Sequence, residues 1–375
     1  MRLALSPDQE MMREEAARIL AERSSSSAVR RVIDAGASRD DAIWNALSRE
    51  LGWCGVAIPE RHGGLGLGLF DLALLLEETG RRLLCAPFFA TAGCAAPLLA
   101  HAASDEAQAR WLPRIAAGEC AATVAWPASG SLVNDILLTA ERAGGEYVIS
   151  GVVDQVLDVR NADIILAPAR FDGEIGLFTL ERSAGLHLQS HRTLDATRNI
   201  GRLHADRAPA SRVDDPARLA HGATRAADWS KLLLAAEQVG GAQACLDLTL
   251  AYIAERVQFG RAIASFQAVK HRCAKLAIEI ETARSLVWGA ASGVDQGADD
   301  WEASLDVAGA LVAATEIYNL AAEEAIQLHG GVGFTWEYDP HLYFKRAQAS
   351  AAWFGAPETH LERVAQHLFD EHEHA

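Results

Sequence analysis

The chain has no excess of positive charge: 34 Lys and Arg stand against 50 Asp and Glu, for a formal net charge of −16 and a pI near 5.3. A field of that sign argues against a nucleic-acid or anionic-membrane partner. Local clusters such as "RVQFGR" still leave room for an anionic small ligand. There is no uninterrupted apolar run of about 18 residues, so no membrane span is expected. The opening "MRLALSPDQEMMREEAARIL" brings acids into its second turn instead of running basic then apolar. No secretory signal is therefore expected, and a reducing cytoplasm is the expected compartment. The six cysteines (Cys54, Cys85, Cys94, Cys120, Cys245 and Cys273) contain no CxxC pair, which points to buried free thiols. The tail "DEHEHA" reads as a frayed acidic terminus, and no metal is expected.

What is present is a chain of 375 residues, half of them hydrophobic and 22% charged, enough for two or three domains with a buried core. The first part reads as helices. Ser6 is placed to cap a helix with Pro7 at its first position, and "SDEAQARWLPRIAAGE" gives a capped helix ended by Gly118. From about residue 122 short alternating or β-branched runs punctuated by glycine take over, among them "ADIILAPARF", "EIGLFTLE" and "GRLHADRAPASRV". Long helical patterns return from Ala223 and have the length of bundle helices. The expected division is 1–121 helical, 122–222 β, and 223–375 a helical bundle, without internal repeat or low-complexity linker.

Four segments in order resemble the acyl-CoA dehydrogenase family: "LGWCGVAIPERHGGLGLGLFDLALLLEETGR", "LPRIAAGECAATVAWPASGS", "ERVQFGRAIASFQAVKHRCAKL" and "QLHGGVGFTWEY". Each piece alone is weak, since "GGLGLG" occurs in many loops; the ordered set covers nearly the whole chain. The resemblance implies an α+β fold with an N-terminal helical domain, a middle β-barrel-like domain and a C-terminal four-helix bundle. It implies FAD as cofactor, an acyl-CoA thioester as substrate, and electron-transfer flavoprotein as acceptor. It further implies that FAD lies between one subunit's middle domain and its neighbour's bundle.

The matching positions then acquire roles. Arg256 would meet the FAD diphosphate, a fork-shaped cation suited to phosphate. Phe259, Gln267, Gln327 and the backbone of Gly330 and Gly331 would line the same site, and Ser131 would lie on the flavin side of the middle domain. A plainer reading stands beside each. Arg256 could pair with Glu255, Phe259 could be core, Gln327 an ordinary interface amide, and the glycines a helix stop.

The chain also departs from the family pattern. Desaturation between Cα and Cβ needs a base for the α proton while hydride leaves Cβ. In the ungapped register from Gly333 to Gly355, "WFGA" puts Phe354 at the usual acid and Ala356 at the following threonine. An alternative family position for the base matches Ser230. The nearest acid on that helix face is Glu237, seven residues on, which is either the base or an interface carboxylate paired with an Arg. In the middle domain Gln155, Val156 and Leu157 replace an aromatic-and-hydroxyl segment, and Trp126 stands near it. Arg198 is a candidate substrate contact or an ion-pair partner of Asp195. Asp247 is a candidate contact in the CoA region or a solvated helix residue.

The residues facing a neighbour's FAD are thus present, while those for the chain's own flavin are largely replaced. That division resembles the subunits of heteromeric steroid side-chain acyl-CoA dehydrogenases. The expected function is a flavoprotein subunit desaturating a bulky or unusual acyl-CoA, in a homo- or hetero-oligomer with a related subunit. The alternatives are a complete homomer using Glu237 as base, and a non-catalytic partner of a sister subunit.

Overall fold

The computed structural model describes residues 4–126 and 135–373. Its N-terminal third is helical: α1 (Pro7–Arg23), α2 (Ser26–Asp34), α3 (Asp41–Asn45), α4 (Leu69–Arg81), α5 (Ala96–Ala102) and α6 (Asp105–Ala116). Ser6 caps α1 in a reciprocal box with Gln9, and Ser104 caps α6, so the expected start signals act where they were read.

The middle of the chain forms β1 (Ala122–Val124), β2 (Leu138–Ala143), β3 (Glu146–Leu157), β4 (Ile164–Phe171), β5 (Glu174–Glu181), β6 (Leu186–Ser190) and β7 (Ile200–Arg212). Pairing runs β4-β2-β3-β7-β5 and returns from β5 to β4, which closes the sheet on itself as a barrel; β1 adds to β4 and β6 to β7. This domain has its own core around Ile149, Phe178 and Leu203, separate from the core shared by the helices.

The C-terminal part is built on α7 (Leu219–Glu255), followed by the short hairpin β8 (Val257–Gln258) and β9 (Arg261–Ala262). It continues with α8 (Gln267–Asp295), α9 (Asp300–His329), α10 (Pro340–Ser350) and α11 (Pro357–Glu373). The helices α7, α8 and α9 pack on one another, with α10 and α11 against α9. Together the chain has the expected α+β architecture of helical domain, β-barrel-like domain and helical bundle. Among the described residues α9 is long and apolar enough to cross a membrane by length and composition, but 61% of its most apolar stretch is buried inside the protein, as in a bundle core helix.

At the crossing of α4 and α7 the two backbones meet closely. A Cβ on Gly80 would lie 1.9 Å from the Glu237 carbonyl oxygen, and one on Gly240 would lie 1.8 Å from that of Glu77. Two glycines let the helix backbones touch, which no larger residue permits. Beside this contact Arg284 of α8 donates to the Glu77 carboxylate at 2.8 Å, and Trp288 adds a donor at 3.2 Å. The N-terminal and C-terminal domains are thereby locked at the level of Glu237. All six cysteines are buried and free.

Candidate functional site

The site begins with a β-bulge. Between Val153 and Val156 the register of β3 against β7 slips, so that Asp154 and Gln155 face the single residue Arg202. Bulges re-aim side chains next to functional clefts. Gln155 takes φ 62° here, and Asp154 accepts from Arg202 at 2.7 and 3.2 Å and meets His191 Nε2 at 3.2 Å. These groups form the polar rim of a cleft of ≈ 600 Å³, whose other wall is the stretch from Gln348 to Phe354.

Phe354 is buried in that wall at φ 61°, an uncommon conformation for an aromatic residue. Its ring packs edge-on against Trp126, centroids 6.1 Å apart. Leu157 and Gln155 line the opposite side; Val156 turns into the barrel core. Thr123 also lines the cleft, and its hydroxyl donates to the Leu157 carbonyl at 2.6 Å. Cys94 also reaches the cleft, but burial pushes its thiol up to about 12, so it stays neutral and a poor nucleophile.

Behind the cleft lies a buried ionic network. Arg346 of α10 donates from Nε to Asp195 at 2.8 Å and from Nη1 to Glu237 at 2.8 Å, and Nη2 donates to the Thr197 carbonyl at 3.0 Å. Arg198 donates to both oxygens of Glu237 and lies between the rings of Phe89 and Trp353. Burial opposes the Arg346 charge, yet Asp195 and then Glu237 outweigh it and raise its pKa above the ordinary value. Next to the network Asp158 is buried at φ 47°. Desolvation raises it to about 6 against the pull of the Asn161 amide, Arg198 and Arg346.

This geometry corrects two expectations. Glu237 does not face the cleft as a base: both of its oxygens accept from guanidiniums, and it belongs to the interface alternative weighed for it. Arg198 pairs with Glu237 rather than with Asp195, whose partner is Arg346. Asp247 sits exposed on α7, as the solvated-helix alternative has it, and accepts from Arg81 of α4 at 2.7 Å and from Gln243 at 2.9 Å. Ser230 is fully buried and donates to the Gly93 carbonyl, so it is no base either. Ser131 lies outside the described residues.

Arg256, Phe259, Gln267, Gln327, Gly330 and Gly331 all lie exposed, on the turn after α7, the start of α8 and the end of α9. Tyr252, one turn before Arg256, stacks on His329 at 4.3 Å, which brings the ends of α7 and α9 together. Phe259 is 92% exposed, against the core alternative, and among the described residues Arg256 forms no ion pair with Glu255 or any other acid. A Cβ added at Gly330 or Gly331 would meet nothing within 4 Å, so the room those glycines leave serves nothing inside the chain. Gly330, at φ 66°, also ends α9.

Sequence reasoning missed Arg346, the hub of the network. Its signal was present: of the adjacent cations Lys345 and Arg346 in "HLYFKRAQASAAWF", one falls on the inward helix face, and a buried guanidinium calls for a buried carboxylate. It also missed His191, which was hidden in a strand run, and Cys94.

Two family models match the chain: the acyl-CoA dehydrogenase N-terminal domain over residues 6–119, and the acyl-CoA dehydrogenase C-terminal domain over residues 221–369. Acyl-CoA dehydrogenase IpdE2 of Mycobacterium tuberculosis is 35% identical over 97% of this chain and 98% of its own length. Among solved structures, the ChsE4-ChsE5 complex from Mycobacterium tuberculosis superposes with a TM-score of 0.88 at 26% identity, covering 98% of this chain and 99% of that chain. A variant of the Tcur3481-Tcur3483 steroid ACAD does so with a TM-score of 0.85 at 30% identity, covering 98% and 99%.

Proposed function

Since the chain belongs to the acyl-CoA dehydrogenase family of FAD-dependent oxidoreductases, we propose that it is one subunit of a heteromeric dehydrogenase for a bulky acyl-CoA thioester. In this reading it completes a neighbouring subunit's flavin site and does not supply the base. The observation that carries it is Phe354, buried in the cleft wall where the family pattern puts a carboxylate. Phenylalanine accepts no proton, and the two acids that line the cleft, Asp154 and Asp195, are both held by guanidiniums.

When bound, FAD accepts the hydride that leaves the thioester's Cβ. Among the described residues the chain's own cleft fits that group poorly: Gln155 and Leu157 replace the aromatic-and-hydroxyl segment, and the Thr123 and Thr193 hydroxyls already donate to backbone carbonyls. The surface formed by Arg256 and the open Gly330–Gly331 elbow fits a diphosphate better, since an exposed unpaired guanidinium can bind it bidentately beside backbone that nothing covers. Phe259, Gln267 and Gln327 would flank it. Likeness to the ChsE4-ChsE5 complex and to a steroid ACAD supports a two-chain assembly and a steroid-side-chain type of acyl group. An electron-transfer flavoprotein would take the electrons onward.

The test is co-expression with a related acyl-CoA dehydrogenase chain, followed by flavin absorbance per complex and thioester oxidation with an artificial acceptor. The expected result is a colourless, inactive protein alone and less than one FAD per chain in an active complex. A yellow homomer turning over acyl-CoA would overturn it. A complex whose flavin content and rate equal those of the sister chain alone would leave this chain a structural partner.

A further inference from the structure

A second concavity lies beside the cleft and shares His191, Thr193 and Leu194 with it. It holds ≈ 850 Å³ between the end of α2, the turn after β3, the loop after β6, and α10. Its cations are Arg160, Arg192, Arg198 and Lys345, and no Asp or Glu is among its described lining residues. Arg160 and Arg192 are exposed and Lys345 is half-buried, and none of the three is in an ion pair among the described residues. In a chain of net charge −16 such a patch runs against the overall field. Cations around a concave surface focus that local potential on an incoming anion.

The arrangement favours protein carboxylates over phosphate. A phosphate pocket converges several donors on one point; here the buried guanidinium, Arg198, is committed to Glu237, and the other three cations sit on separate elements. Between them runs apolar surface from half-buried Ile33 and from Leu194, the latter 62% exposed. An apolar centre with a charged rim is the anatomy of a protein interface. We infer that this groove docks a partner protein through an acidic amphipathic segment, its apolar side chain on Leu194 and its carboxylates on Arg160, Arg192 and Lys345. The segment would lie one side-chain layer from the cleft.

The probe is a fluorescent synthetic helix of Glu and Leu, titrated against the full-length chain and an Arg160→Glu/Arg192→Glu variant with unchanged circular dichroism and melting. Saturable binding that weakens with salt, and by roughly tenfold in the variant, supports the docking surface. Equal binding to both proteins, or none to either, overturns it. Displacement of the peptide by equimolar inorganic pyrophosphate would make the groove a phosphate site instead. Self-association by sedimentation that the variant abolishes would make the occupant a second copy of this chain. Either of these last results also overturns the proposal.

Discussion

Replacing Glu237 by Gln asks whether this carboxylate is an anchor or a base. Its side chain is 7% exposed, and its donors Arg198 and Arg346 are 7% and 3% exposed. Glutamine keeps the shape but loses the charge, and its amide nitrogen presents hydrogens to guanidiniums that are themselves donors. Two buried cations are then left with Asp195, which already binds Arg346 and Thr197. Removing one partner of a buried pair costs about 3–5 kcal/mol, because the remaining charge stays buried without compensation. With two cations affected, the upper part of that range is expected. Urea unfolding at neutral pH should show a lower midpoint at unchanged slope. Adding Arg198→Met should recover part of the loss, since the two residues couple directly. A loss below about 1 kcal/mol, the value of an exposed pair, would refute the anchor. Full stability together with lost thioester oxidation would restore Glu237 as a base.

Three other perturbations follow from the same geometry. Gly240→Ala should cost about 3 kcal/mol or more, because its methyl lies 1.8 Å from a backbone oxygen of α4, whereas Gly331→Ala, with nothing within 4 Å, should melt like the wild type; equal melting of the two variants would refute the helix contact. Asp158 is raised to about 6, so its contribution to stability is fully present below the unfolded value near 3.8 and is lost as pH rises through 6; Asp158→Asn should therefore gain roughly 3 kcal/mol on the wild type between pH 4 and 8, and a pH-independent difference would refute the assignment. Arg256→Ala should leave folding intact but weaken FAD retention in the mixed complex by about 1.5–3 kcal/mol, and equal absorbance per complex would remove the role given to it.

The order of domains was legible because it rests on local signals: caps at Ser6 and Ser104, alternation in β2 and β7, and long helical periodicity after Ala223. The Gly330–Gly331 elbow was legible for the same reason. The partners of Glu237 were not, because Arg198 and Arg346 stand 39 and 109 positions away along the chain. Helix periodicity identified Glu237's face and no more. The bulge that presents Gln155 was equally hidden, since a one-residue slip against Arg202 leaves no mark in an alternating strand.

What the structure adds is a contrast between two kinds of polar residue. The buried ones satisfy each other: Arg346, Asp195, Glu237 and Arg198 tie the loop after β6 to α7 and α10, so the cleft wall is held without a ligand. Around Arg256 the exposed set differs: among the described residues the Arg256 guanidinium has no ion-pair partner. Phe259, at 92% exposure, carries an apolar ring whose full burial is worth about 1.5–3 kcal/mol. Leaving that ring in water beside an exposed guanidinium and uncovered glycines is unfavourable for an isolated subunit; in the proposed assembly, another chain and its diphosphate would cover them. On the proposed reading, this surface more than the cleft carries the chain's part in catalysis, and Arg256→Ala in the mixed complex is its test.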